Sequence, residues 1–251
     1  MEYVILTALG IGGATVIGAI LGMLIKKIPH QWNDAIMGFA AGVMLAAAVI
    51  GLVLPAVELT GKTGIWQVVI GILAGAIFLN LMDKVTPHLH HISGVDKEDH
   101  MNNASLNKVL LFVFAIALHN LPEGLAAGVG LGSGNVDGAM TVAAGIALQN
   151  IPEGMVIISP MLLAGMSKTR TFLIASFTGL IEVVGTFIGF GAANISAVIL
   201  PFALAFAGGT MIYVVSDEMI PETHSHGYEQ LATYSLITGF IVMVLMDTMI
   251  G

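Results

Sequence analysis

The chain alternates long apolar runs with short polar breaks, and the runs have the length of membrane helices. A hydrocarbon core about 30 Å thick takes about 20 residues of helix. Read at that length, the pattern predicts eight spans, roughly 3–25, 33–54, 65–84, 107–131, 138–163, 169–193, 196–216 and 229–250. The runs are continuous, unlike the short alternating segments of a barrel. The expected class is therefore all-α, a single polytopic transmembrane domain over 1–251. The first run lacks a basic leader and a small-residue cleavage site, so it reads as a retained helix.

Composition sharpens this picture. Hydrophobic residues make up 57% of the chain and charged residues 10%, whereas a soluble surface needs about a quarter charged. A soluble domain is excluded, and lipid is the first partner. The absence of cysteine removes disulfides, thiolate metal sites and cysteine nucleophiles. A net charge of -8 disfavours nucleic acid and suits a cationic partner. Nothing in the sequence asks for an organic cofactor.

The basic residues give an orientation. Lys26, Lys27, Lys84, Lys97, Lys108, Lys168 and Arg170 fall at connections on one side of an eight-span arrangement, and only Lys62 falls on the other. The positive-inside rule puts the seven in the cytoplasm of a cell-membrane protein, with both termini outside. The connection 88–107 carries His88, His90, His91 and His100 with Asp96, Glu98 and Asp99. It reads either as a flexible linker or as a cytoplasmic metal-capturing loop.

An internal repeat carries the chemistry. Residues 116–124 read IALHNLPEG and residues 146–154 read IALQNIPEG, identical at seven of nine positions with an offset of 30. That offset is one span and a turn, so the copies should lie on neighbouring antiparallel helices around a pseudo-twofold axis near the midplane. His119 and Glu123, like Gln149 and Glu153, are four residues apart and share a helix face. Pro122 and Pro152 lack the N–H their helices need, which predicts broken helices 4 and 5. Gly124 and Gly154 would let neighbouring backbones approach.

Glu123, Glu153 and Glu182 lie deep in apolar runs with no lysine or arginine at similar depth. A carboxylate at the centre of a membrane helix costs on the order of 2.5–3.5 kcal/mol. Either the three are neutral acids bonded between helices, or they share a cation. Oxygen ligands alone suit magnesium or calcium, whereas His119 shifts the preference to zinc, iron, cobalt or manganese. An intramembrane zinc-dependent hydrolase is the alternative. It would need an open coordination position and a general base, and the chain has no HExxH and one histidine at depth.

HNLPEG (119–124) and QNIPEG (149–154) resemble the paired signatures of the ZIP (Zrt/Irt-like) metal transporters. GVMLAAA (42–48), GLIEVVG (179–185) and SDEMIPETHSHG (216–227) resemble segments of its bacterial GufA-type branch. The resemblance implies transport of divalent ions into the cytoplasm, zinc first, with cadmium, iron, manganese or cobalt as further substrates. It implies one metal site of Met44, His119, Glu123, Gln149 and Glu153, and a second of Asn120, Glu123, Asn150, Glu153 and Glu182. Met44 would otherwise read as a packing residue. Asn150 stands where some relatives carry aspartate, which should weaken the second site. Asp83, His88, Asp217, Glu218, Glu222 and His224, with Asn80 and His226, form either an exit relay or solvated helix ends. The small-residue face GIGGATVIGAILG (10–22) would allow a homodimer.

Overall fold

A computed structural model describes residues 1–25, 28–85, 103–195 and 198–250. It is helical throughout, with no strand among the described residues. The helices are α1 (Glu2–Ile25), α2 (His30–Ala46), α3 (Leu54–Val85), α4 (Asn103–Gly132), α5 (Val136–Leu163), α6 (Lys168–Ala193), α7 (Leu200–Val214), α8 (Ile220–Thr223) and α9 (Glu229–Ile250). Six helical runs among the described residues are long and apolar enough to cross a membrane. One of them, His30–Met82, is 53 residues long.

That run cannot be straight. A Cβ on Gly208 would lie 3.2 Å from the Ala48 carbonyl, and one on the adjacent Gly209 would strike that of Ile72. Ala48 and Ile72 would be about 36 Å apart in a straight helix, so the chain doubles back between them. It does so at Gly61, whose φ of 58° and ψ of −165° leave helical space. A side chain there would be strained, which is why glycine holds this position.

The predicted breaks at Pro122 and Pro152 do not occur: α4 and α5 run as continuous α-helices through both. The departures from α geometry lie elsewhere, in π-helical segments at Ala47–Val53 and Val215–Met219. Each ends two residues before a proline, Pro55 and Pro221. A proline cannot donate to the ladder, and its ring crowds the carbonyl four residues back; widening the turn before it to π spacing relieves both problems. Gly124 and Gly154, two residues on from Pro122 and Pro152, are pressed against the backbones of Glu182 and Thr15.

Glycine contacts divide the helices into two sets. In the first, α1 meets α6 at Gly12 and Gly179, each 2.6 Å from the other's carbonyl oxygen if given a Cβ. Gly18 lies against Ile151 of α5, Gly22 against Met155, and Gly189 of α6 against Leu125 of α4. The glycines read as a dimer face are thus used inside the chain at positions 12, 18 and 22. In the second set, Gly38 and Gly42 of α2 abut Ala232 and Leu236 of α9, and Gly75 of α3 abuts Phe206 of α7. Between the sets the glycines meet side chains instead, Gly51 against Val142 and Gly145 against Met243 and Val43.

Close backbone contact of this kind drives membrane helices together where no hydrophobic force does, and it makes a test. Gly189→Ala puts a methyl into Leu125, whereas Gly191, two residues along α6, has nothing within 4 Å. The first substitution should cost about 1–3 kcal/mol and lower the thermal unfolding midpoint in detergent. Gly191→Ala should leave the midpoint unchanged or raised, and equal behaviour would show that the contact is not stabilising.

Candidate metal site

Four helices of the first set converge on a buried polar cluster in an apolar surround. Glu182 of α6 sits at its centre, fully buried. Its Oε1 accepts from Asn120 Nδ2 at 2.7 Å and from Thr15 Oγ1 at 2.6 Å, and its Oε2 accepts from Asn150 Nδ2 at 2.5 Å. Asn120 and Asn150 are equivalent positions of the repeat, and they donate to opposite oxygens of this one carboxylate. Asn150 Nδ2 also reaches the Ile11 carbonyl at 3.3 Å.

Gln149 Nε2 donates to Glu123 Oε1 at 2.6 Å. Its counterpart His119 lies within electrostatic reach of Glu153, the counterpart of Glu123. Glu123 in turn feels both Glu153 and Glu182. His119 Nε2 also lies 2.8 Å from Glu218 Oε1, which enters from the π segment after α7.

The cluster is rich in acceptors and short of donors. Asn120 Oδ1, Glu123 Oε2, Gln149 Oε1 and Asn150 Oδ1 are all buried without a hydrogen-bond partner. No lysine or arginine reaches the three glutamates among the described residues. No group of three or more His, Asp or Glu side chains is drawn together among the described residues as a closed metal cage. Amides fill the remaining positions and hold the acids in place.

The predicted residues divide as follows. His119, Asn120, Glu123, Gln149, Asn150, Glu153 and Glu182 come together. Met44 is buried in the apolar core of α2, in the same cluster as Ala143 and Ile146 of α5, and no hydrogen bond ties it to the acids. Of the relay residues, Glu218 belongs with His119. His224 is held by the Ile220 carbonyl at 2.8 Å and Thr233 Oγ1 at 3.0 Å, so it fastens α8 to α9. Glu222 is half exposed at 4.0 Å from His226. Asn80 Nδ2 donates to the Tyr213 hydroxyl at 2.9 Å. His88 and the histidine-bearing loop lie outside the described residues, apart from the first residues of α4, and so does the side chain of Asp83. Sequence reasoning missed Thr15, a hydroxyl on a largely apolar helix with no motif to mark it.

Membrane-length helices around a buried acidic cluster define a polytopic membrane protein built to handle a cation. Residues 93–247 match the family model described as ZIP Zinc transporter. The chain is 37% identical over 246 residues to the zinc transporter GufA of Myxococcus xanthus, covering 96% of each. It is 36% identical to the zinc transporter ZIPB of Bordetella bronchiseptica, covering 95% of this chain and 78% of that one. It is 33% identical to the zinc transporter ZupT of Chlorobaculum parvum, covering 93% and 92%. The chain belongs to the ZIP zinc-transporter family, in its GufA-type branch. It is a transporter and not an enzyme.

The Thr15 contact gives a local test. A hydrogen bond within a protein contributes about 0.5–1.5 kcal/mol net, and Glu182 takes one of its three from this hydroxyl. Thr15→Val should lower the stability of the purified protein by that order, and Thr15→Ser should restore most of it. Equal unfolding midpoints for the valine and serine variants would remove the hydroxyl from the site.

Proposed function

We propose that the chain carries divalent transition-metal ions, zinc first, through the membrane into the cytoplasm. The observation that supports this most directly is the group of four buried acceptor oxygens with no donor, beside three carboxylates that no lysine or arginine reaches among the described residues. A cation satisfies such a set at one stroke. The relatives named as zinc transporters support zinc as the substrate. Cadmium, iron, manganese and cobalt are the further substrates that the donor set admits.

In this reading the chain makes eight spans: α1, the two arms of the run folded at Gly61, α4, α5, α6, α7 continued into α8, and α9. Both termini lie outside. Met44, His119, Glu123, Gln149 and Glu153 hold one ion, with the thioether and imidazole as its softer donors. Asn120, Glu123, Asn150, Glu153 and Glu182 hold the second. The amide at Asn150 leaves that position one charge poorer than a carboxylate would, so it binds more weakly. Glu218 competes with metal for His119 and then receives the ion. Asp217, Glu222 and His224, with Asp83 and His88, continue the exit. The zinc-dependent hydrolase is the weaker reading, since the cluster has one imidazole and its relatives are transporters.

Glu123→Ala or Glu153→Ala should cut radioactive zinc uptake into liposomes by about 100-fold or more, because each removal leaves a buried cation short of its anion. Membrane insertion should persist. Near-normal uptake by either variant would end the proposal.

Orientation has its own check in this cysteine-free chain. Lys97→Cys should react with an impermeant maleimide from the cytoplasmic side and Ser133→Cys from the outside. Labelling of both from one side would rule out eight spans.

A further inference from the structure

A threonine inside a helix has a ready acceptor one turn back, and this chain uses it often. Thr141, Thr186, Thr233, Thr238 and Thr248 each donate their hydroxyl to the carbonyl four residues earlier. That bond is the local default for a helical threonine. By the same rule Thr15 would donate to the Ile11 carbonyl. Its hydroxyl leaves α1 instead and donates to Glu182 Oε1 of α6 at 2.6 Å. Thr15 is fully buried, so solvent plays no part in that choice.

The acceptor that Thr15 forgoes is in use. Asn150 Nδ2 reaches the Ile11 carbonyl at 3.3 Å while it donates to Glu182 Oε2 at 2.5 Å. Hydroxyl and amide thus meet on one carboxylate, and the amide also covers the carbonyl that the hydroxyl would otherwise take. The arrangement leaves Asn150 Oδ1 buried with no hydrogen-bond partner. It is held in register by Gly12 and Gly179, which put the backbones of α1 and α6 in contact one turn away.

An ion at the second position changes each of these demands. An amide coordinates through its oxygen, since its nitrogen only donates. Asn150 must therefore present Oδ1 to the ion, and turning the amide withdraws Nδ2 from Glu182 and from the Ile11 carbonyl together. Glu182 then faces the ion. The Ile11 carbonyl is left open to the Thr15 hydroxyl, one rotation about χ1 away, and a helical threonine populates both of the rotamers involved. The hydroxyl has an acceptor in either state.

We propose that Thr15 is a positioning residue for the second ion: its hydroxyl holds Glu182 while that position is empty and passes to the Ile11 carbonyl when an ion takes Glu182 and Asn150 Oδ1. This rests on the reading in which Asn120, Glu123, Asn150, Glu153 and Glu182 hold the second ion. It adds that the second ion binds against a donor supplied by the protein. The Ile11 carbonyl already accepts from the backbone N–H of Thr15 within the helix, so the hydroxyl stabilises the empty state more than the filled one. The second ion is thereby held more loosely, as suits a position that must also let its ion go.

The test titrates the purified full chain with zinc alone and compares Thr15→Val with Thr15→Ser. The unmutated chain should bind zinc in two steps. Thr15→Val should tighten the weaker step about three- to tenfold, the worth of one net hydrogen bond, and leave the tighter step unchanged. Thr15→Ser should restore the original affinity. A contact that only held the helices together would give the opposite sign, because its loss would loosen the ion. A second readout does not depend on the valine variant folding. In the chain labelled with ¹³C-methyl threonine, the Thr15 resonance, assigned by its absence from Thr15→Ser, should move with the weaker step and stay fixed through the tighter one. An unchanged or loosened weaker step in Thr15→Val, a Thr15 methyl that ignores zinc, or a single zinc step would overturn the proposal and leave the transport reading standing. No zinc binding by the unmutated chain would sink the transport reading itself, and this proposal with it.

Discussion

Three carboxylates held inside a membrane protein with no lysine or arginine in reach among the described residues set the terms for everything around them. Each would cost on the order of 2.5–3.5 kcal/mol at the centre of a lone helix. The protein offsets part of that cost with neutral donors: two asparagine amides and a threonine hydroxyl on Glu182, and a glutamine amide on Glu123. Amides are the useful choice because each brings an acceptor along with its donor. Donating to an acid leaves the amide oxygen turned elsewhere, and three such oxygens are buried and unpaired here. The same side chains that hold the acids therefore enlarge the negative surface a cation meets. Lysine or arginine would have stabilised the acids more simply and closed the site.

The precision of the cluster comes from the glycines. Gly12 and Gly179 bring the backbones of α1 and α6 into contact. Three residues further along each helix stand Thr15 and Glu182, 2.6 Å apart. Gly124 presses α4 against the backbone of Glu182, and Gly154 presses α5 against that of Thr15. Each glycine contact thus fixes the register of a polar pair on the same two helices. A backbone contact cannot be adjusted by changing a rotamer, so three helices from distant parts of the chain hold their donors within hydrogen-bonding range of one carboxylate on a fourth. The seam to the second set is softer, made by Val142, Met243, Val43 and their neighbours.

Much of this was legible from the sequence, and the limits have physical causes. The repeat announced itself because His119, Asn120 and Glu123 recur as Gln149, Asn150 and Glu153, and buried acids without basic partners are rare enough to read. The helices were legible because a lipid core imposes a length. Thr15 was not, because a threonine satisfies itself on its own helix elsewhere in this protein, as Thr186 does on Glu182 O at 2.9 Å. Glu218 reads from the sequence either as part of an exit relay or as a solvated helix end, and not as a partner of His119. The π segment widens the helix at that point, and this local change, invisible in residue spacing, accompanies the turn of its carboxylate toward His119. The prolines misled for the opposite reason. Pro122 and Pro152 stand in the motif, yet the distorted turns precede Pro55 and Pro221, because a proline's place in the sequence does not say whether its helix widens to accommodate it.

The one chemical difference that matters between the two copies is histidine at 119 against glutamine at 149. Around Glu182 the copies act alike, with Asn120 on one oxygen and Asn150 on the other. That half of the site is a symmetric clamp. Around Glu123 and Glu153 they act differently. Gln149 gives Glu123 an N–H, whereas His119 sits among Glu153 and Glu218 with an imidazole that can hold a proton or a metal. Glu218 has no counterpart in the repeat, because it comes from the other helix set. An inherited twofold arrangement would give two equivalent ends and no preference between them. Replacing one amide by an imidazole, and facing it with an acid from outside the repeat, makes one end softer and more responsive to protons than the other. The asymmetry of the cluster therefore rests on His119 standing opposite Gln149 in the repeat, together with Glu218 beside it.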